Sequence, residues 1–136
     1  MRLPLSLLAI FCITACSDQV RGPITFSCVS SGEESANPGQ EVLFHYAEGY
    51  LFLQNAEGGA DNVCHQRGTV DCSVSMTRDA LTLRQTVEEP YCGYRSVVKT
   101  NLDIKRASGA FRLVQEGCDP QEDLVITGRC QSVIVD

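Results

Sequence analysis

Apolar and polar residues alternate with a period of two along most of this chain. Val42, Phe44 and Tyr46 stand at alternate positions, and the same spacing recurs at Leu81 and Leu83. Side chains two residues apart share one face of a β-strand, so this pattern predicts half-buried strands. The predicted strands are residues 24–28, 42–46, 49–54, 70–76, 81–84, 94–100, 101–106, 110–115, 124–130 and 132–135.

Short polar clusters separate these strands and suit hairpin turns, as at residues 47–49, 77–79 and 107–109. No segment longer than about ten residues has the i, i+3, i+4 spacing of an amphipathic helix. We therefore predict an all-β fold, a small antiparallel barrel or sandwich of about eight strands.

The first residues follow a different pattern. Arg2 precedes an apolar stretch from Leu3 to Ala15, which is too short to span a bilayer. A positive residue, a short apolar run and small residues at its end are typical of a cleaved export signal. This interpretation divides the chain into a signal peptide at 1–15, a short tether at 16–22 and a single all-β domain at 23–136.

The end of the apolar stretch, Ile13-Thr14-Ala15-Cys16, resembles the lipobox of bacterial lipoproteins. The resemblance implies that Cys16 becomes the N-terminus and carries acyl chains such as palmitate. Each buried methylene contributes roughly 0.8 kcal/mol, so several chains anchor a protein stably. By the sorting rule of such lipoproteins, Ser17 directly after the cysteine favours the outer membrane. The alternative is ordinary signal cleavage nearby, with Cys16 as a spare thiol.

The eight cysteines are Cys12, Cys16, Cys28, Cys64, Cys72, Cys92, Cys118 and Cys130. Cleavage would discard Cys12, and lipidation would use Cys16. The remaining six are expected to form three disulfides, because an exported chain meets an oxidising compartment. Fifteen pairings are possible. We favour Cys28 with Cys130, which joins the first strand to the last, and then the shortest of the remaining pairings, Cys64 with Cys72 and Cys92 with Cys118.

The charge balance is acidic, with 11 Lys and Arg against 17 Asp and Glu and a formal net charge of -6. This balance argues against nucleic acid or an anionic membrane surface as partner. It suits a basic partner, although acidity is also an ordinary means of staying soluble. Removal of 15 of the 136 residues leaves 121, which is one domain's worth of chain.

Catalytic motifs are missing from the sequence. There are two histidines, His45 and His65, and no metalloprotease, hydrolase, P-loop or dinucleotide-binding pattern. We predict a protein that is not an enzyme and has no cofactor or metal, with a carboxylate-pair hydrolase as the least favoured alternative. The four carboxylates between Glu116 and Asp123 lack the spacing of a calcium loop and predict a solvated turn.

Three long connections, at residues 30–40, 55–68 and 116–123, are the natural places for binding, since binding residues concentrate on loops held by a rigid scaffold. The second is the most elaborate. Its candidate binding residues are Asn55, Gly58, Gly59, Asp61, His65 and Arg67.

Residues 26–53 resemble the opening of the membrane-bound inhibitors of c-type lysozyme. The resemblance rests on Phe26-Ser27-Cys28, a polar spacer, the run from Pro38 to Tyr46, and Leu51-Phe52-Leu53. It implies a small β-barrel lipoprotein whose partner is a basic envelope-active protein such as a lysozyme. The inhibitory loop of that family has Ser-Gly with a Tyr two residues later, whereas this chain has Gly58-Gly59-Ala60-Asp61.

Together these patterns predict a small lipid-anchored envelope protein that acts as a non-enzymatic binding or inhibitor module. Its partners would be the membrane, through the lipid anchor, and a basic protein. The alternative is a structural or accessory envelope lipoprotein of a larger assembly.

Overall fold

The computed structural model describes residues 22–31, 39–55 and 57–133. The predicted signal peptide, Cys16 and the tether up to residue 21 lie outside the described residues. The described part is all-β and antiparallel, as predicted, with nine strands and two short 3-10 helices. None of its helices is long and apolar enough to cross a membrane.

The nine strands form one curled, half-barrel sheet, whereas the sequence predicted a barrel or sandwich of about eight strands. The strands are β1 (Ile24–Ser30), β2 (Glu41–Ala47), β3 (Tyr50–Gln54), β4 (Ala60–Asn62), β5 (Thr69–Met76), β6 (Ala80–Glu88), β7 (Val97–Lys105), β8 (Ala110–Gln115) and β9 (Leu124–Val133). Their order is β4-β3-β2-β1-β9-β8-β7-β6-β5. The 3-10 helices are Val63–His65 and Pro120–Glu122. The first and last strands are therefore neighbours, and β4 and β5 are the two edges.

Strand boundaries are where the sequence-based prediction was wrong. Residues 94–100 and 101–106 were expected to form two strands, but β7 runs through the polar pair Thr100-Asn101. Thr100 is opposite both Gln85 and Gln115, so ladders on both sides keep the backbone extended there. Residues 124–130 and 132–135 likewise belong to one strand as far as Val133. The short strand β4 lies inside a segment that was expected to be a loop.

Tight hairpins close one end of the sheet, which we call the lower end. The turn between β2 and β3 has positive φ at Glu48 (53°) and Gly49 (86°), as the favoured two-residue hairpin turn requires. The turns after β5 and β7 lie at the same end. The longer connections between β1 and β2, β3 and β4, β6 and β7, and β8 and β9 lie at the opposite, upper end.

The concave face of the sheet carries the core. Alternate residues of each strand point to this face because successive side chains of a strand point in opposite directions. Near the lower end they pack tightly, and Leu51, Met76, Leu81 and Ile104 are each 0% exposed.

Gly128 explains how β9 fits against its neighbours. A Cβ atom at this position would lie 2.1 Å from the carbonyl oxygen of Val29 and 2.6 Å from Cε1 of Phe111. Glycine inside a strand often marks such a close approach. Here it lets the Phe111 ring lie over the contact between β1 and β9.

The three disulfides have the pairing that the sequence favoured. Cys28–Cys130 joins β1 to β9 at directly opposed positions. Cys64–Cys72 ties the first 3-10 helix to β5, and Cys92–Cys118 joins two loops at the upper end. Each bridge therefore holds a different part of the sheet or its loops.

Candidate binding cavity

A cavity of about 700 Å³ lies on the concave face, in the upper half of the sheet. Side chains from most strands and from the first 3-10 helix surround it. The apolar ones are Val42, Phe44, Leu53, Val63, Leu83, Leu102, Phe111, Leu113, Leu124 and Ile126, and the polar ones are Ser30, Gln40, Asp61, Asn62, His65, Gln66, Gln85, Thr100 and Gln115. More than half of the lining is thus apolar.

The burial of inward side chains differs between the lower and the upper half of the concave face. The inward residues of the lower half are almost fully buried, whereas Val42, Leu53, Leu113 and Ile126 of the upper half are only partly buried. These side chains point inward yet keep contact with solvent. The sheet therefore presents an apolar wall that its own described residues leave uncovered.

Polar side chains mark the upper end of the cavity. Ser30 and Gln115 end β1 and β8, Gln40 immediately precedes β2, and Asp61 lies in β4. The lining is therefore apolar in depth and polar at its rim, which is the arrangement of most small-molecule sites.

Gln85 is a buried polar residue that fixes one wall of the cavity. It is 4% exposed, and its Nε2 donates to the carbonyl of Val63 at 2.6 Å. The same amide lies 3.2 Å from Oγ1 of Thr69 and 3.4 Å from Oε1 of Gln66. Because a buried amide needs partners, Gln85 holds the segment between β4 and β5 against β6. The Cys64–Cys72 bridge holds the same segment from β5.

The candidate binding residues of the second long connection separate into two groups. Asp61 and His65 line the cavity. Asn55, Gly58 and Gly59 form the turn between β3 and β4, where Oδ1 of Asn55 accepts from the backbone N–H of Gly59 at 2.9 Å. In addition, Nδ2 of Asn55 donates to Oδ2 of Asp61 at 3.3 Å. The turn thus positions Asp61, one of the two candidate residues that line the cavity.

Arg67 and His45 lie apart from the cavity lining. Arg67 is exposed in the segment between the first 3-10 helix and β5. His45 lies on the convex face of β2, where its Nδ1 is 2.7 Å from Oγ1 of Thr25 and its ring is 6.3 Å from that of Phe52. Across residues 22–31, 39–55 and 57–133, no three His, Cys, Asp or Glu side chains lie close enough to hold a metal ion.

The acidic connection between β8 and β9 uses its carboxylates to shape the loop. Asp123 accepts from Nη1 of Arg95 at 2.5 Å and from Nη2 at 3.1 Å. Hydrogen bonds from Arg95, and then from the backbone N–H of Gly117, lower the pKa of Asp123. Asp119 accepts from the N–H of Gln121 and so caps the second 3-10 helix, and Glu116 accepts from the N–H of Lys99.

Two tyrosines in the connection between β6 and β7 were missed by the sequence reasoning. Tyr91 is 97% exposed and Tyr94 is 75% exposed. Their loop is nevertheless held in place by the Cys92–Cys118 disulfide and the ion pair of Arg95 with Asp123. One signal in the sequence could have identified this exposed loop: the tyrosines lie beside a cysteine in a run that contains proline and glycine.

The cavity was also missed from the sequence. The available signal was Gln85, which occupies an inward position in the alternating run Leu81, Leu83, Gln85 and Val87. Comparison with protein-family models, with characterised proteins and with solved structures gave no significant match.

Proposed function

We propose that this protein is a non-enzymatic binding protein that holds a small apolar or amphipathic molecule in the cavity of its concave face. The observation that carries the proposal is the 700 Å³ cavity with its apolar wall and polar rim. Cavities of roughly 300–1,000 Å³ suit drug-sized ligands, and binding sites are lined mainly by apolar side chains with a few polar groups.

The partly buried wall supplies the driving force. Burial of apolar surface contributes roughly 25 cal/mol per Å², and a ligand that covers Leu113, Ile126 and Val42 removes both its own surface and theirs from water. The Gln85 contacts and the Cys64–Cys72 bridge keep the wall in place before the ligand arrives. A preformed site binds more tightly because less ordering accompanies binding.

Export and lipidation at Cys16 complete the proposal. A lipid anchor would hold the cavity close to the outer membrane, where apolar and amphipathic molecules are concentrated. The lipobox resemblance at Ile13-Thr14-Ala15-Cys16 supports this location.

The test of cavity binding uses a protein in which Cys16→Ser replaces the anchor site, so that no detergent competes for the cavity. We expect N-phenylnaphthylamine, a neutral apolar fluorophore, to bind with a dissociation constant near 1 μM, equivalent to about -8 kcal/mol. Leu113→Trp should weaken this binding at least about tenfold, or ~1.4 kcal/mol, because the indole fills part of the cavity.

Val114→Trp is the matched control for this experiment. Val114 is the next residue of β8, is absent from the cavity lining and points to the convex face. Ile126→Phe repeats the test on β9. The proposal is wrong if the parent protein does not bind the fluorophore, or if both cavity variants bind it as well as Val114→Trp does.

The exposed tyrosines favour a second candidate function, docking to a basic protein. Tyrosine offers a large contact area with few rotatable bonds, and its ring attracts Lys and Arg side chains. Carboxylates of Glu88, Glu89 and Glu122 lie in the two connected loops or at their edge, so the surface suits a positively charged partner. This surface differs from the loop of residues 55–68 that the sequence favoured.

A c-type lysozyme is the probe for this second function, because it is basic and acts on the envelope. If the candidate is correct, the protein should inhibit the enzyme at micromolar concentration, and Tyr91→Ala with Tyr94→Ala should raise the inhibition constant at least about tenfold, a typical hot-spot loss. Tyr50→Ala is the control, since Tyr50 is 49% exposed at the lower end of β3. Absence of inhibition by the parent protein would remove lysozyme as the partner.

A further inference from the structure

The charges around the cavity restrict the ligand. Only two of the described side chains that line the cavity are ionisable, Asp61 and His65. Within the described parts of the chain no lysine or arginine lines the cavity, although several lie elsewhere on the sheet. Four basic residues are adjacent in sequence to lining residues but are themselves outside the lining, namely Arg67, Arg84, Lys99 and Arg112.

Asp61 is placed to meet the polar end of a ligand. It lies on edge strand β4, opposite Leu53 of β3, which also lines the cavity. Among the described residues, the one contact of its carboxylate is the 3.3 Å hydrogen bond from Nδ2 of Asn55, and neither of the two ion pairs includes it. The negative charge of Asp61 therefore acts on the part of a ligand that lies at the rim of the cavity.

We propose that the natural ligand is a single-chain amphiphile with a cationic amine or ammonium head group. Its alkyl chain lies against the partly buried side chains of Val42, Leu53 and Leu113, and its head group lies at the rim beside Asp61. A carboxylate head group, as in a fatty acid, finds no lysine or arginine among the described lining residues and is repelled by Asp61. This inference rests on the proposed function and specifies the ligand class of the same cavity.

The contribution of Asp61 to the affinity for a charged ligand can be estimated from measured ion pairs. A partly exposed ion pair is worth up to about 1 kcal/mol, and salt weakens it. Changing the head group from amine to carboxylate replaces an attraction by a repulsion of similar size. The two ligands should therefore differ in dissociation constant by about fivefold to thirtyfold at low ionic strength.

The experiment displaces N-phenylnaphthylamine from the Cys16→Ser protein with dodecylamine, dodecanol and dodecanoate, each below its micelle concentration. At neutral pH the amine is protonated and the carboxylate is ionised. We expect affinity to fall in the order amine, alcohol, carboxylate. In Asp61→Asn the amine and the carboxylate should bind within about twofold of each other, and Asp61→Lys should reverse the order.

A matched control separates Asp61 from the general acidity of the protein. Asp79→Asn removes an exposed carboxylate at the lower end, far from the cavity lining. This variant should keep the preference for the amine. The inference is overturned if dodecanoate binds as tightly as dodecylamine, if Asp61→Asn keeps the preference, or if the fluorophore binds and none of the amphiphiles displaces it. Failure of the fluorophore itself to bind would instead refute the proposed function.

Discussion

Replacing Cys28 and Cys130 together by alanine is expected to lower the free energy of unfolding by about 4.7 kcal/mol, because the loop-entropy model scales with the length of closed chain. The bridge spans a sequence separation of 102 residues. It also joins the first and last strands, whose pairing connects the two halves of the sheet. Since a domain of this size has a stability of roughly 5–15 kcal/mol, this loss removes between about a third and nearly all of the free energy of unfolding.

The other two bridges are internal controls for this prediction. Cys92–Cys118 has a separation of 26 residues and Cys64–Cys72 a separation of 8. The same model gives losses of about 3.5 and 2.5 kcal/mol for the corresponding double alanine variants. Urea unfolding of the three variants, followed by circular dichroism, would measure the order. Equal losses, or the greatest loss for Cys64 and Cys72, would contradict a stabilisation that depends on loop length.

Replacing Cys16 by serine is expected to move nearly all of the protein from the membrane fraction to the soluble fraction. Serine offers no thiol for lipid attachment, and several acyl chains are what make anchoring stable. The released protein should contain its three disulfides, because the six cysteines concerned are paired with one another within the domain. Fractionation of an export-competent bacterial host, followed by immunoblotting, measures the distribution.

Cys12→Ser provides the matched control for the anchor. Cys12 lies within the apolar stretch that cleavage would discard, so this variant should stay in the membrane fraction. Mass measurement of the parent protein without reduction would show the acyl chains directly. A Cys16→Ser protein that remained with the membrane would refute the lipid anchor and leave the cavity proposal to stand on its own test.

Several features of the fold could be predicted from local sequence. The alternation of Val42, Phe44 and Tyr46 identified β2 and its inward face, because side-chain direction alternates strictly along a strand. The disulfide pairing was also accessible, since Cys28 and Cys130 lie in the first and last strands and these strands meet. Strand ends were less predictable, because the ladders on either side of Thr100 decide whether a polar pair interrupts β7.

The candidate site was mostly inaccessible from sequence. The sequence analysis named Asp61 and His65 as candidate binding residues of a loop. The structure places both side chains in the lining of the cavity. Tyr91 was missed because sequence alone does not show whether an aromatic side chain in a loop is buried or exposed. Tyr94 was missed because it was assigned to a predicted strand at residues 94–100, whereas β7 begins at Val97.

The sequence by itself determined the all-β class, the inward faces of the strands and the cysteines available for pairing, because these depend on local periodicity and residue chemistry. Only the tertiary structure decided that nine strands curl into one half-barrel sheet and that the described residues leave its upper half unfilled. The volume between strands depends on how far the whole sheet curves and on which side chains meet across it. Leu51 and Leu53 have the same residue type and the same direction in one strand, yet the first is fully buried and the second lines the cavity.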